Sequence, residues 1–257
     1  MTSRLSPWGL FLLLAGCVPF QPEVRNASVL DRANEQFLLE QYGSAIGHYE
    51  LFLSENPEYP DRARVQAQIG KCHLGAGNAE PALRSFAQAL ALNPPGPVRW
   101  EAIFRGGVAH RLLGDVARAL EAFRAVAAAP LLDRGGVILD DELRYETAMA
   151  LFRAGDWKAG QAELAAVSPR GPFAAKRLVR LGLSAWAVQV GAFTDEMLAR
   201  TQEARLKAVT PASAVRLVTG ERSFYVVSAG PFARYEDAQR EAQRLRGKGF
   251  TDAFVLP

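Results

Sequence analysis

The residues best suited to acid–base, nucleophilic or metal chemistry are few in this sequence and lie far apart. The histidines are His48, His73 and His110, and each falls in a segment with helical periodicity. Cys72 lies beside His73, but no second pair stands at the spacing of a metal site, so a buried thiol is expected. The acidic run Asp140-Asp141-Glu142 is typical of a solvated cap rather than a calcium site. No Ser-His-Asp or paired-carboxylate set can be assigned, so we expect no enzyme, no metal and no catalytic cofactor.

Composition limits what the chain is expected to contact. Of its 257 residues, 49% are hydrophobic and 22% are charged, which is enough for two modest domains. The formal net charge of +3 is too small to predict a nucleic-acid partner, because such proteins need a clustered basic surface. If Cys17 has another use, no disulfide pair remains.

Cys17 follows a short apolar run near the amino terminus. Arg4 is the only charge among the residues before Cys17, and the apolar run 8–15 is shorter than the roughly 20 residues that span a bilayer. A short apolar run behind a positive charge is typical of a secretory signal. The run Leu14-Ala15-Gly16-Cys17 resembles the lipobox of bacterial lipoproteins.

This resemblance implies a signal peptide over 1–16, a diacylglyceryl group on the sulfur of Cys17, an acyl chain such as palmitate on its amino group, and a tether over 17–25. Two or three chains hold a protein stably on a bilayer, whereas one is marginal. Val18 stands where an Asp would favour inner-membrane retention, so the outer membrane is expected, with the protein facing the periplasm. The alternative is an ordinary cleaved signal with a chance cysteine.

Residues 26–183 carry an internal repeat of helical character. Its marks are a small residue in a first helix, a Gly-Asn or Gly-Asp turn, a small and a larger residue four positions apart in a second helix, and a closing proline. The small residues of the first helices include Gly70 and Gly107. The second-helix pairs are Ala45/Tyr49, Ala82/Phe86, Ala119/Phe123 and Gly160/Leu164, the turns Gly77-Asn78, Gly114-Asp115 and Gly155-Asp156, and the prolines Pro57, Pro94, Pro130 and Pro169.

This pattern resembles the tetratricopeptide repeat (TPR), with a period longer than usual and an extra loop over 132–142. The resemblance implies an α-helical solenoid of about four helix pairs that stack into one core and one curved surface. Such a surface usually binds another protein, which predicts an unidentified protein partner. The alternative is a spacer that only holds the two ends of the chain apart.

The last part of the chain changes to the period-two pattern of strands. The strand "WAVQVGAF" (186–193) is followed by a helix over 194–208, whose expected apolar side is Met197, Leu198, Thr201 and Leu206. Two strands then flank a turn at 219–222, a helix ends at Gly247 or Gly249, and "FTDAFVLP" forms a last strand. The order βαββαβ predicts a small α+β domain with an antiparallel sheet and both helices on one side.

The motifs "VQVGAF" and "YVVSAGPF", with Ala238 and Leu245 in the second helix, resemble the SPOR (sporulation-related repeat) domain of bacterial envelope proteins over residues 184–257. The family resemblance implies binding to peptidoglycan at glycan stretches whose stem peptides have been removed. Three departures reduce the polarity of the expected site: Ala192 replaces a serine, and Val226 and Ser228 replace frequent arginines.

With both helices on one face of the sheet, the other face is expected to be open to a glycan. Alternation along the strands gives the candidate glycan-binding residues Gln189, Phe224, Val226, Ser228 and Phe254, and the core residues Val188, Val190, Tyr225, Val227 and Val255. Aromatic groups can lie against sugar rings, and the amide of Gln189 can donate and accept hydrogen bonds. The alternative for the two phenylalanines is edge packing without a ligand.

Together these features predict a non-enzymatic outer-membrane lipoprotein that binds peptidoglycan and recruits a protein. Two alternatives remain open at this point. One is an assembly or pilot lipoprotein of a secretion or pilus complex, and the other is an activator of a cell-wall hydrolase that acts through the repeats.

Overall fold

The computed structural model describes residues 27–136, 138–219 and 223–257. The predicted signal peptide, Cys17 and the tether therefore lie outside the described residues, as do the tip of the predicted turn at 220–222 and residue 137. None of the helices in the described ranges is long and apolar enough to cross a membrane.

Four antiparallel helix pairs fill most of the first described range and the start of the second. They are α1 (Ala27–Leu38) with α2 (Tyr42–Glu55), α3 (Arg62–Gly75) with α4 (Ala79–Ala91), α5 (Gly96–Leu113) with α6 (Val116–Ala128), and α8 (Asp140–Arg153) with α9 (Trp157–Ala166). The short helices α7 (Leu131–Arg134) and α10 (Ala174–Arg180) follow the third and fourth pairs. The predicted arrangement of about four stacked pairs is confirmed.

A glycine against an aromatic ring allows the helices of a pair to approach closely. A Cβ at Gly70 would lie 2.5 Å from the Phe86 ring, and one at Gly107 would lie 2.8 Å from the Phe123 ring. Real Cβ contacts are longer than this, so no side chain fits at either position. In the fourth pair the roles are exchanged: Gly160, on the second helix, faces Phe152 on the first at 2.6 Å. This exchange accounts for Gly160 at the position where the other second helices carry Ala45, Ala82 and Ala119.

The turns within the pairs use left-handed backbone. Gly77, Gly114 and Gly155 have φ between +79° and +86°, a region that glycine enters without a steric penalty. The side chain of Asp115 accepts a hydrogen bond from Arg118 N and caps α6, and that of Asp156 accepts one from Ala159 N and caps α9. Asn78 makes no such side-chain hydrogen bond to α4.

The predicted extra loop over 132–142 is only partly a loop. It begins inside α7, and its acidic run forms the first turn of α8 rather than a free loop. Each of these carboxylates accepts a hydrogen bond from the protein. The donors are Arg134 Nη1 for Asp140 (3.2 Å), Ser168 N for Asp141 (2.9 Å) and Arg105 for Glu142 (2.5 and 3.3 Å).

Ion pairs connect the first helices of successive pairs. Lys71 on α3 lies 3.0 Å from Glu101 on α5, and Arg111 on α5 lies 2.7 Å from Glu146 on α8. All four side chains are largely buried, so solvent screens them less than it screens surface pairs. These contacts help to fix how each pair sits on the next.

The chain ends in a four-stranded antiparallel sheet. The elements are β1 (Trp186–Phe193), α11 (Glu196–Lys207), β2 (Ser213–Val218), β3 (Phe224–Phe232), α12 (Tyr235–Arg246) and β4 (Phe254–Leu256), and the strand order is β2-β3-β1-β4. Both helices pack on one face of this sheet, where Ala199, Leu206, Ala238 and Leu245 join the core. The predicted βαββαβ order is confirmed.

The orientation predicted for α11 is wrong. Met197, Leu198 and Thr201 are exposed, and only Leu206 of the predicted set is buried. The residues that face the sheet are Ala199, Glu203 and Leu206. Glu203 is tolerated there because its carboxylate pairs with Lys207 at 2.9 Å and with Arg200 at 3.3 Å. The carboxylate reaches solvent-exposed cations while its stem covers apolar surface.

The fourth helix pair and the sheet share one hydrophobic core. Four aromatic rings run from one to the other: Phe152 and Trp157 (4.9 Å between centroids), Trp157 and Trp186 (5.4 Å), and Trp186 and Tyr235 (5.0 Å). The guanidinium of Arg153 lies 3.8 Å from the centre of the Tyr235 ring. The repeats and the sheet are therefore joined by packed side chains as well as by the chain itself.

Candidate functional site

The sheet face opposite α11 and α12 carries the five candidate glycan-binding residues. The five residues predicted for the core contact the helix side: Val188, Val190, Tyr225, Val227 and Val255. Since side chains alternate along a strand, Gln189, Phe224, Val226, Ser228 and Phe254 project from the other side. The predicted division of the two faces is thus confirmed, whereas the glycan-binding role of the second set stays a prediction.

Three of these residues form a row across neighbouring strands. Gln189 on β1 is paired in register with Ser228 on β3 and with Phe254 on β4. Strands lie about 4.8 Å apart, so the row spans about 10 Å. Phe254 is 40% exposed, whereas Gln189 is only 8% exposed. The side-chain oxygen Oε1 of Gln189 is buried without a hydrogen-bond partner, which is costly for an amide carbonyl.

The expectation that this face is open is wrong over much of the sheet. The segment 174–183, which we call the strap, lies on it, and Leu178, Val179 and Leu183 of the strap pack on side chains from all four strands. These side chains are Ala187, Val218, Val226 and Leu256. Val226 is 1% exposed and belongs to this small core, so it is not a free contact for a ligand. The physical reason is that the face is apolar here and a short amphipathic segment of the same chain can bury it.

Arg216 holds the strap from the sheet side. Its guanidinium donates hydrogen bonds to the carbonyl oxygens of Val179 and of Leu181, the latter at 3.3 Å. Burial disfavours the charged form and lowers the pKa of Arg216 from its ordinary value. The two carbonyl oxygens offset part of that cost, since they stabilise the charged guanidinium.

Gln161 of α9 holds the strap from the repeat side. Its Nε2 donates to the carbonyl oxygens of Arg180 (3.1 Å) and Leu183 (2.8 Å), and its Oε1 accepts from Gly182 N (2.9 Å). A single amide thus satisfies three backbone groups at the end of α10. Sequence reasoning missed both Gln161 and Arg216, because each acts on backbone groups and leaves no periodic signal.

The comparisons with known proteins concern the sheet and the helix pairs separately. Residues 182–257 match the family model of the SPOR domain. The chain is also similar to the solved structure "Crystal structure of MamA", with 15% identity and a TM-score of 0.45 over 57% of this chain and 78% of that one. A second similar structure is that of a putative kinesin light chain from Podosopora anserina with nearly identical TPR-like repeats. The identity is 16% and the TM-score is 0.45, over 59% of this chain and 81% of that one. The search of curated proteins found no match.

The carboxyl-terminal part of the chain is therefore a SPOR domain, and the helix pairs before it are arranged as in TPR-like solenoids. SPOR domains are a class of non-catalytic peptidoglycan-binding modules. Within the described ranges, no three His, Cys, Asp or Glu side chains come together as a metal site.

Proposed function

We propose that this protein binds peptidoglycan glycan strands through its SPOR domain and recruits a protein partner through its repeats, while lipid on Cys17 holds it to the outer membrane on the periplasmic side. The observation that carries the glycan site is the row of Ser228, Gln189 and Phe254 on the face opposite the helices. It offers a hydroxyl, an amide and an exposed ring side by side, as a chain of N-acetylated sugars requires.

The buried oxygen of Gln189 favours a polar ligand at this row. An amide carbonyl without a partner gains a hydrogen bond when a sugar hydroxyl or N-acetyl N–H reaches it. Phe254 lies next to Gln189 at the exposed end of the row, where a sugar ring can stack on it. Because Oε1 of Gln189 is shielded from solvent, full engagement requires a small shift of the side chain.

The variants Gln189→Ala and Phe254→Ala test this site. Each is expected to weaken cosedimentation with purified peptidoglycan sacculi about ten- to a hundredfold, because one hydrogen bond or one stacking surface is worth about 1–3 kcal/mol. Leu217→Ala is the matched control, since Leu217 is a 53% exposed apolar side chain on the edge strand β2, which pairs with neither β1 nor β4. Binding should rise after an amidase strips the stem peptides. If the unaltered protein fails to sediment with stripped sacculi at any salt concentration, the glycan function is excluded.

The repeats offer an apolar groove to a protein partner. It has a volume of about 480 Å³ and lies between α4, α5 and α6. Leu83, Leu90 and Ile103 contribute large side chains, and Gly106 and Ala122 leave room between them. A groove of this character suits an apolar side chain of another protein, which supports partner recruitment over a pure spacer.

Cys17→Ala tests the lipid anchor. The variant should lose lipid attachment and accumulate as uncleaved precursor, because in the lipoprotein family the peptidase acts on the modified cysteine. Metabolic labelling with a palmitate analogue, followed by membrane fractionation in high salt, measures both effects. A variant that is still cut before residue 17 and still sediments with membranes would show that the cysteine is not the anchor.

A further inference from the structure

The apolar groove between α4, α5 and α6, which we call the first groove, has a counterpart one repeat further along the array. This second groove lies between α6, α8 and α9 and has a volume of about 310 Å³. Phe86 lines the first groove, and its repeat equivalent Phe123 lines the second. Successive helix pairs therefore build the same recess twice, with α6 as a wall of both.

The two grooves differ in chemistry at equivalent positions. Three apolar positions of the first groove become charged in the second: Ala87 corresponds to Arg124, Ile103 to Arg144 and Ala122 to Glu163. The charged side chains of the first groove, Arg118 and Glu121, are exposed and opposite in sign. The array thus presents an apolar recess beside a charged one.

Arg124 carries the uncompensated charge of the second groove. Both carboxylates that line its described part are already paired, Glu163 with Arg144 at 3.1 Å and Asp140 with Arg134 at 3.2 Å. Arg124 is exposed and makes no hydrogen bond or ion pair with the described residues. A guanidinium in excess of the carboxylates favours an anionic group, above all a carboxylate.

A buried arginine adds to this preference. Arg134 lines the same groove and is 6% exposed, and its Nε has no hydrogen-bond partner among the described residues. Residue 137, which lies outside the described ranges close to Arg134 in the chain, is a valine and brings no charge. The cationic excess therefore does not depend on a residue that the structure leaves undescribed in this loop.

The distance between the grooves sets the spacing of a ligand that reaches both. Packed helices lie about 8–10 Å apart, so two recesses on either side of α6 are separated by about that distance. An extended chain advances about 3.3 Å per residue, so residues three positions apart span it. A segment lying across α6 would therefore place every third side chain in a groove.

We propose that the two grooves together bind an extended segment of the partner protein, with an apolar side chain in the first groove and an acidic side chain three residues away in the second. This inference rests on the proposed recruitment of a protein by the repeats and names the chemistry of the recruited segment. Arg124 is then the residue that selects the acidic side chain, and Gly106 leaves the space for the apolar one.

A pair of peptides tests this chemistry. The first has twelve residues in which leucine and glutamate alternate at every third position, with serine and glycine between them, so it contains both chain directions of the motif. The second carries glutamine in place of glutamate. By fluorescence anisotropy at low salt, the detergent-solubilised full chain should bind the glutamate peptide about tenfold more tightly, and high salt should reduce that ratio.

Two variants separate the grooves. Arg124→Gln should remove the preference for the glutamate peptide and leave the affinity for the glutamine peptide unchanged. Gly106→Ile should weaken both peptides about tenfold because it fills the first groove. This side chain can be accommodated, since a Cβ at Gly106 meets only Leu83 Cδ2, at 4.0 Å, and Ile69 stands at the equivalent position one repeat earlier.

Arg84→Gln is the matched control, because Arg84 is an exposed arginine on α4 that lines neither groove, and it should keep the preference. An Arg124→Gln variant that still prefers the glutamate peptide overturns the acidic subsite. If the unaltered chain binds neither peptide, the inference fails. Photocrosslinking from Ala87 in intact cell envelopes then decides whether recruitment fails too: a specific protein crosslink leaves recruitment standing without this segment, and its absence contradicts both.

Discussion

Replacing Trp186 with alanine should lower the free energy of unfolding by about 3–5 kcal/mol and should destabilise the fourth helix pair together with the sheet. Trp186 is the first residue of β1 and is 6% exposed. Its ring lies between Trp157 of α9 and Tyr235 of α12, at centroid distances of 5.4 and 5.0 Å. Truncation leaves a cavity that neither unit can close alone, so both are expected to lose stability.

Hydrogen exchange measured by mass spectrometry can locate this loss. Peptides from α8 and α9 and peptides from the strands should all exchange faster in the Trp186→Ala variant. Trp100→Ala is the matched control, because Trp100 packs against the core of the third helix pair and should affect exchange there and not in the sheet. Faster exchange confined to the sheet would contradict a shared core.

Phe123→Ala should destabilise the repeat array by about 3–5 kcal/mol. Phe123 is 1% exposed, its ring lies 5.6 Å from that of Phe104, and it occupies the space that Gly107 leaves open. In a solenoid each repeat is stabilised mainly by its neighbours, so the loss should centre on the third pair and weaken those beside it. Urea denaturation followed by circular dichroism measures the change in free energy.

Leu132→Ala serves as the control for this prediction. Leu132 is 93% exposed on α7, so its truncation should change the free energy of unfolding by less than about 0.5 kcal/mol. A change below about 1 kcal/mol for Phe123→Ala would mean that the ring does not fill the seam between the paired helices.

The repeat register could be predicted from sequence because the packing rule there is local. A glycine on one helix and an aromatic ring on its partner recur at fixed spacing, as Gly70 with Phe86 and Gly107 with Phe123 show. The division of the sheet into two faces could be predicted for a similar reason. Side chains alternate with a period of two, and Val188 and Val227 both follow it.

The position of the strap over part of the candidate sheet face could not be predicted in the same way. The strap is one short helix with several basic residues, and its periodicity shows an apolar side without showing which surface that side meets. The orientation of α11 was missed because a purely hydrophobic criterion favours Met197 and Leu198 over Glu203. The position of Glu203 depends on its pairing with Lys207 and Arg200, a local detail that hydropathy does not measure.

The strap also sets the mechanical character of the molecule. Gln161 and Arg216 donate hydrogen bonds to its backbone from opposite sides. The ring of Trp186 packs between the fourth helix pair and the helix side of the sheet. To tilt one unit against the other, these hydrogen bonds and ring contacts must break together. The connection between the repeats and the sheet is therefore rigid, so a displacement of the sheet moves the helices with it. The distance between a ligand on the sheet and one on the repeats is thus set by the packing of the two units and not by the fluctuations of a flexible linker.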